Sequence, residues 1–291
     1  MARGAVALPG RGHATLRSMR FEKWHGTGNH HVVVDVDALP AAMSPARARL
    51  LCDPFTGIGA DGVLVVSVDD GHPRMTVWNA DGSVAENCGN GIRIVAAHLH
   101  RDGRLPEDGA VLTGQERTVV TVLDDGAVRV RMGRARFPAG DGLEALTTST
   151  GDVVFTEVSM GNPHAVVLHQ DPVHAVTDLG PEMEVAPRFP HRTNAEFVRV
   201  EDDHRLLVRV WERGVGATMA CGTGACAAAA VAVSTGAVET PVEVSLAGGT
   251  LVIDVDDDLE ITMTGPAEHL YTATLAHPLL ERFMAAGESA V

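Results

Sequence analysis

Cys88-Gly-Asn-Gly-Ile-Arg93 runs into Ile94-Val-Ala-Ala-His-Leu99, and Cys221-Gly-Thr-Gly-Ala-Cys226 runs into Ala227-Ala-Ala-Ala-Val-Ala232. The two cysteines stand 133 positions apart, and other stretches align at the same offset without gaps. Gly28-Asn29-His30-His31 falls on Gly161-Asn162-Pro163-His164, and Val77-Trp78 on Val210-Trp211. Val65 falls on Val198, and Asp69-Asp70 on Asp202-Asp203. Such agreement implies two equivalent halves, each presenting one cysteine at the start of a helix. Taken alone, a Cys-Gly-x-Gly run reads as a small buried residue at a tight turn. Its duplication at a constant offset points instead to a pair of thiols serving one site.

Outward from these runs, apolar segments alternate with turn residues. Phe21 to Asp37 reads as two strands around Gly26-Thr-Gly28, and Ser44-Pro45 as a helix cap followed by proline at the first helical position. Val119–Leu123 and Val128–Met132 flank Asp124-Asp-Gly126 as a hairpin. Ile92, Val95, Ala96 and Leu99 form one apolar stripe on the first central helix, while the second, from Cys221 to about Val233, is apolar all round. The stretch Phe137–Thr150 reads as the crossover between halves, and the strand at Tyr271–Leu275 as a return to the first half. Short strands around one central helix per half predict an α+β protein of two similar domains. The expected division is a tail at 1–18, a first domain over 19–136 with 268–286, and a second over 137–267.

The bulk composition narrows the partners. At 291 residues, 45% apolar and 21% charged, the sequence is that of a globular protein of about two domains. Its 23 basic and 38 acidic residues give a net charge of −15, which argues against nucleic acid or an anionic membrane surface. The longest apolar run near the start is Ala5–Leu8, too short for the core of a signal peptide. Four cysteines without such a segment suggest free thiols in the cytoplasm. Lys23 is the sole lysine, so pyridoxal phosphate would have to rest on that residue. No cofactor is expected. His25, His30 and His31 cluster without a recognised ligand spacing, and no metal is expected either.

A cysteine just ahead of a Gly-x-Gly helix start has the free N–H groups of the first turn beside it. That end of the helix dipole favours a thiolate and also binds a carboxylate. Two such ends facing each other suit an anionic small molecule with a sulfur on either side. One sulfur removes the proton from an α-carbon and the other returns a proton to the opposite face. One must be ionised while the other is protonated, so the pair titrates as a unit. Cys226 points away from this site and Cys52 closes a predicted helix; both read as structural.

The runs Trp78-Asn-Ala-Asp-Gly-Ser83, Met160-Gly-Asn-Pro-His164 and Trp211-Glu-Arg-Gly214, together with both cysteine motifs, resemble diaminopimelate epimerase from about Arg20 to the last strand. The resemblance implies two pseudo-symmetric domains, each a strongly curved mixed or antiparallel sheet around a central helix, with the site between them. It also implies a cofactor-independent epimerase interconverting LL- and meso-diaminopimelate for lysine and peptidoglycan synthesis. Cys88 and Cys221 would then be the acid/base pair, with Glu212 and His164 assisting. Gly89, Asn90, Gly222 and Thr223 would hold the reacting carboxylate. Asn29, Asn79, Asn162, Asn194, Glu212 and Arg213 would bind the rest of the amino-acid substrate, and a homodimer is an expected assembly. One departure adjoins a ligand residue: the family follows the first Gly-Asn with an acidic and an aromatic residue, where this chain has His30-His31. That leaves a racemase of the same fold for another amino acid as the alternative. A thiol redox or binding protein is disfavoured because no Cys-x-x-Cys is present.

Overall fold

A computed structural model describes residues 18–85, 88–114, 116–140 and 142–287. The expected tail therefore lies, apart from Ser18, outside the described residues. The first half contains β1 (Arg20–Gly26), β2 (Asn29–Asp35), α1 (Pro45–Cys52), β3 (Gly62–Asp69), β4 (His72–Asn79), β5 (Val84–Ala85), α2 (Gly89–Arg101), β6 (Asp108–Thr113), β7 (Glu116–Val122) and β8 (Val128–Arg134). A strand β9 (Glu144–Thr148) follows. The second half contains β10 (Gly151–Ser159), β11 (Pro163–Leu168), α3 (Pro172–Asp178), α4 (Gly180–Glu184), β12 (Asn194–Asp202), β13 (Arg205–Glu212), β14 (Gly216–Thr218), α5 (Gly222–Ser234), β15 (Val242–Leu246), β16 (Gly249–Val255) and β17 (Glu260–Gly265). The chain closes with β18 (Glu268–Thr274) and α6 (His277–Ala285).

The hydrogen-bond ladders repeat strand for strand. β2 runs parallel to β3 as β11 does to β12, and β4 parallel to β6 as β13 does to β15. The other neighbours within each half are antiparallel. β18 returns to pair with β1 in the way β9 pairs with β10, and β8 pairs with β17 across the halves. The stretch read as a crossover thus contains a strand, β9. This is the mixed α+β architecture that the duplicated motifs predict.

One detail corrects the ungapped repeat. His31 faces Gly62 in its ladder, whereas His164 faces Asn194, an offset of 132 along β3 and β12. The register of β12 shifts between Val200 and Asp202, so the bulge takes up the extra residue and restores 133 at Asp202. Val65 therefore matches Phe197 rather than Val198, and Leu64 matches Glu196.

Both faces of these sheets are covered. Along β3, Val63 and Val65 join a core with Leu51, Cys52, Leu280 and Phe283, while Leu64 and Val66 pack towards Ile92 and Val95 of α2. Strand alternation makes this run apolar on both sides. β12 behaves alike: Ala195 and Phe197 face α3 and α4, Val198 faces α5. α5 is buried at Gly222 and from Gly224 to Ala232. α2 is buried beyond the expected stripe, at Asn90, Arg93, Ile94 and His98 as well. Among the described residues no helix is long and apolar enough to cross a membrane.

Candidate active site

Cys88 and Cys221 are the N-caps of α2 and α5, both in extended backbone. Each sulfur accepts a hydrogen bond from the N–H three residues on, Gly91 at 3.3 Å and Gly224 at 3.4 Å. Serine, threonine and the acidic or amide residues normally cap helices this way, so a cysteine here combines capping with a thiol in the helix dipole. The two helix starts touch. A Cβ on Gly222 would lie 3.7 Å from the Gly89 Cα, ordinary van der Waals contact, and 3.2 Å from Met263 Sδ, so the two backbones run side by side. None of the four cysteines forms a disulfide. Cys226 and Cys52 are buried in the cores, as read from the sequence.

The amides arrange themselves around these starts. Asn90 donates to Ala220 O and to Asn29 Oδ1, each at 3.3 Å, and so spans from the first helix start to the residue before Cys221. Asn29 in turn donates to Asp61 Oδ2 at 2.9 Å. In the second half Asn162 donates to Thr223 Oγ1 at 3.4 Å, and Thr223 Oγ1 lies 3.5 Å from Cys221 Sγ. His164 contacts Asn162 Oδ1 at 3.0 Å through Nε2 and the carboxylate of Glu196 at 2.7 Å through Nδ1. Asn194 donates to Pro163 O and accepts from Arg213 N, both at 2.9 Å, fixing the turn that carries Arg213. Glu212 Oε1 accepts from the Thr218 hydroxyl. Asn79 stays within its own turn, donating to Ser83 Oγ at 2.9 Å.

Several contributors escaped the sequence reading. Glu196 is fully buried on the α5 face of β12, where its strand neighbours Ala195, Phe197 and Val198 are apolar. A carboxylate inside such a run was the available signal. Glu184 accepts from Trp211 Nε1 and Gly214 N, both at 2.8 Å, and so brackets Glu212-Arg213 from either side. Asp61 anchors Asn29 and the amide of His30.

Electrostatics separates the thiols. Burial pushes the Cys88 thiol above its ordinary range; the Gly91 N–H and Arg93 pull it down, and Glu212 pushes it up. Burial also pushes Cys221 well up, and there both Glu212 and Glu196 add to the rise. Burial raises Glu212 itself. The helix dipole alone therefore does not hold either sulfur as a thiolate, contrary to the simplest expectation from the motif; burial outweighs it.

The His30-His31 departure resolves into two environments. His25 and His30 sit with ring centroids 5.6 Å apart, while His31 turns into the core beside Gly62 with Nδ1 unpartnered. Among the described residues no three His, Cys, Asp or Glu side chains are placed to hold a metal ion. Burial pushes the His31 pKa down to about 4. Unfolded histidine titrates near 6.5, so the unfolded chain takes up a proton that the folded one refuses. Stability is therefore full above pH 6.5 and falls by up to about 3 kcal/mol as pH drops to 4. His31→Phe should abolish this slope, measured as urea midpoints at pH 7.5 and 4.5. An unchanged difference between the two midpoints would show that His31 takes up its proton in the folded state.

The sequence model of the diaminopimelate epimerase family matches residues 21–138 and 156–270. A diaminopimelate epimerase of Rhizorhabdus wittichii is 42% identical over 268 residues, covering 88% of this chain and 94% of its own. One from Desulforudis audaxviator is 43% identical over 271 residues, covering 87% and 98%. Among solved structures, a Bacillus anthracis phenazine biosynthesis protein of the PhzF family superposes with a TM-score of 0.68 over 89% of this chain and 99% of its own, at 15% identity. That last likeness concerns the fold alone. Matched across both halves and at this identity over nearly its whole described length, the chain belongs to the diaminopimelate epimerase family.

Proposed function

We propose that the chain interconverts LL- and meso-diaminopimelate without a cofactor, using Cys88 and Cys221 as acid and base. The observation that carries this reading is the pair of capping thiols on two touching helix starts, both within the field of Glu212. A substrate carboxylate placed between the starts meets the N–H groups of Gly89, Asn90, Gly222 and Thr223, which stabilise charge as the α-proton leaves. Burial and the Glu212 carboxylate keep the thiols protonated; a substrate ammonium beside Glu212 offsets that carboxylate's field, and one thiol releases its proton to solvent as the substrate enters. The thiolate then takes the α-proton and becomes a thiol; the opposite thiol gives its proton to the other face and becomes the thiolate. Configuration inverts, and the two sulfurs end with exchanged protonation. His164 and Thr223 orient Asn162 and the Cys221 side of the site.

The test is solvent exchange. Incubated in heavy water with LL-diaminopimelate and a panel of other amino acids, the protein should place deuterium at the α-carbon of diaminopimelate and accumulate the meso form. Deuterium entering a different amino acid, with none in diaminopimelate, would assign the site to another substrate.

A further inference from the structure

Arg93 lies one turn into α2 and is fully buried. Its guanidinium donates to Asn90 Oδ1 at 2.8 Å, Thr27 Oγ1 at 3.1 Å, Pro266 O at 3.3 Å and Gly89 O at 3.4 Å, and contacts Met263 Sδ at 3.5 Å. Its slot is shaped for it: a Cβ on Gly26 would come within 3.2 Å of Nη2, and one on Gly265 within 3.2 Å of Nε. Those partners are all neutral, and among the described residues Arg93 forms no ion pair with a carboxylate. A buried cation costs several kcal/mol unless an anion accompanies it. Neutral acceptors spread that charge without cancelling it.

Among the described residues the second half has no such cation. The residue at the equivalent place on α5 is Cys226, which is also fully buried. Carboxylates crowd the Cys221 side instead: Glu212 from β13 and Glu196 from β12, the latter paired with His164 of β11. The Cys88 thiol is pushed up by the Glu212 carboxylate and pulled down by Arg93, which sits on its own helix and donates back to Gly89 O. The repeat thus places a fixed positive charge behind one sulfur and fixed negative charge behind the other.

We propose that Arg93 is a positioning residue whose guanidinium is the built-in counter-charge of a Cys88 thiolate, and whose grip on Asn90 ties that helix start to the carbonyl ahead of Cys221. This rests on the reading of Cys88 and Cys221 as the acid/base pair. Arg93 holds Asn90 by its oxygen, which leaves the amide nitrogen to donate to Ala220 O and Asn29 Oδ1. Burial lowers the Arg93 pKa to about 10, so it keeps its charge near neutrality.

Alkylation by iodoacetamide across a pH series, without substrate, tests this, with modification of Cys88 and Cys221 read separately by peptide mass. In the unaltered protein the midpoint for Cys88 should lie below that for Cys221; the reverse order overturns the proposal. Arg93→Met should raise the Cys88 midpoint by a unit or more, about a tenfold loss of thiolate at neutral pH, and move Cys221 less. Arg93→Gln keeps donors without charge and carries the same expectation should the methionine variant not fold. Arg93→Lys keeps the charge but not the fork, so its Cys88 midpoint should stay near that of the unaltered protein while KM rises more than kcat falls. A Cys88 midpoint unmoved by loss of charge, or moved equally by lysine, overturns the proposal. Failure of the epimerase reading would show separately, as absent α-proton exchange with the order of the thiols intact.

Discussion

Replacing either Cys88 or Cys221 by serine is expected to cut interconversion of LL- and meso-diaminopimelate by roughly 10²–10⁴-fold, the range a positioned acid or base contributes. The helix starts should survive. Serine is a preferred N-cap, and its oxygen can accept the Gly91 or Gly224 N–H that the sulfur accepts now. The thermal midpoint should hardly move, so a loss of activity reports chemistry rather than folding. The two variants should also fail differently. With Cys221→Ser, Cys88 still reaches the isomer whose α-hydrogen faces it, and solvent deuterium enters that isomer without inversion. Cys88→Ser should label only the other isomer. The measurement is deuterium incorporation into each isomer by NMR in heavy water. If either variant keeps more than about a tenth of its interconversion rate, one sulfur suffices and the two-base mechanism fails.

The parts of this molecule that chain-local chemistry decides were legible in its sequence. The Gly-x-Gly starts after each cysteine, the Asp124-Asp-Gly126 hairpin and the alanine-rich α5 each follow from the residues on the spot. Helix α3 carries the same signature that revealed α1, an Asp171-Pro172 cap, and α6 shares only the proline, Pro278, behind an Ala276 cap; their short apolar stretches did not stand out. The one-residue slip between β3 and β12 was invisible for a different reason. A bulge is a property of two paired strands, and the count along one chain is right on both sides of it. Buried charges escaped for a related reason. Arg93 and Glu196 look like ordinary surface residues until the fold surrounds them, and their meaning lies in what faces them across the two halves. Asn79, whose motif was visible, gives one amide hydrogen bond within its own turn, to Ser83 Oγ. The His31 ring occupies the core beside Gly62, a placement that depends on the fold and not on the residues next to it in sequence.

Arg213→Met should show the other large effect, a loss in kcat/KM of about 2–5 kcal/mol, roughly 30- to 4,000-fold, as expected when one side of a desolvated charge pair is removed. The backbone of this residue is fixed from three sides: Asn194 Oδ1 holds its amide, and Glu184 holds Trp211 before it and Gly214 after it. Its guanidinium, by contrast, is exposed and, among the described residues, donates only to His191 O at 3.3 Å. A rigid stem with a largely uncommitted planar cation suits a carboxylate at the far end of the substrate, away from the helix starts proposed to take the reacting one. Because that contact is remote from the α-carbon, it is made equally before and during proton transfer, and the loss should fall mainly on KM. Arg213→Lys should recover part of it as a point charge without the fork. Competitive inhibitors supply the decisive comparison. 2-Aminopimelate keeps the distal carboxylate and should weaken in the methionine variant by the same factor as the substrate. 2-Aminoheptanoate lacks that carboxylate and should bind both proteins alike. Equal weakening of both inhibitors would place Arg213 at the reacting end instead, and the far carboxylate would need another partner.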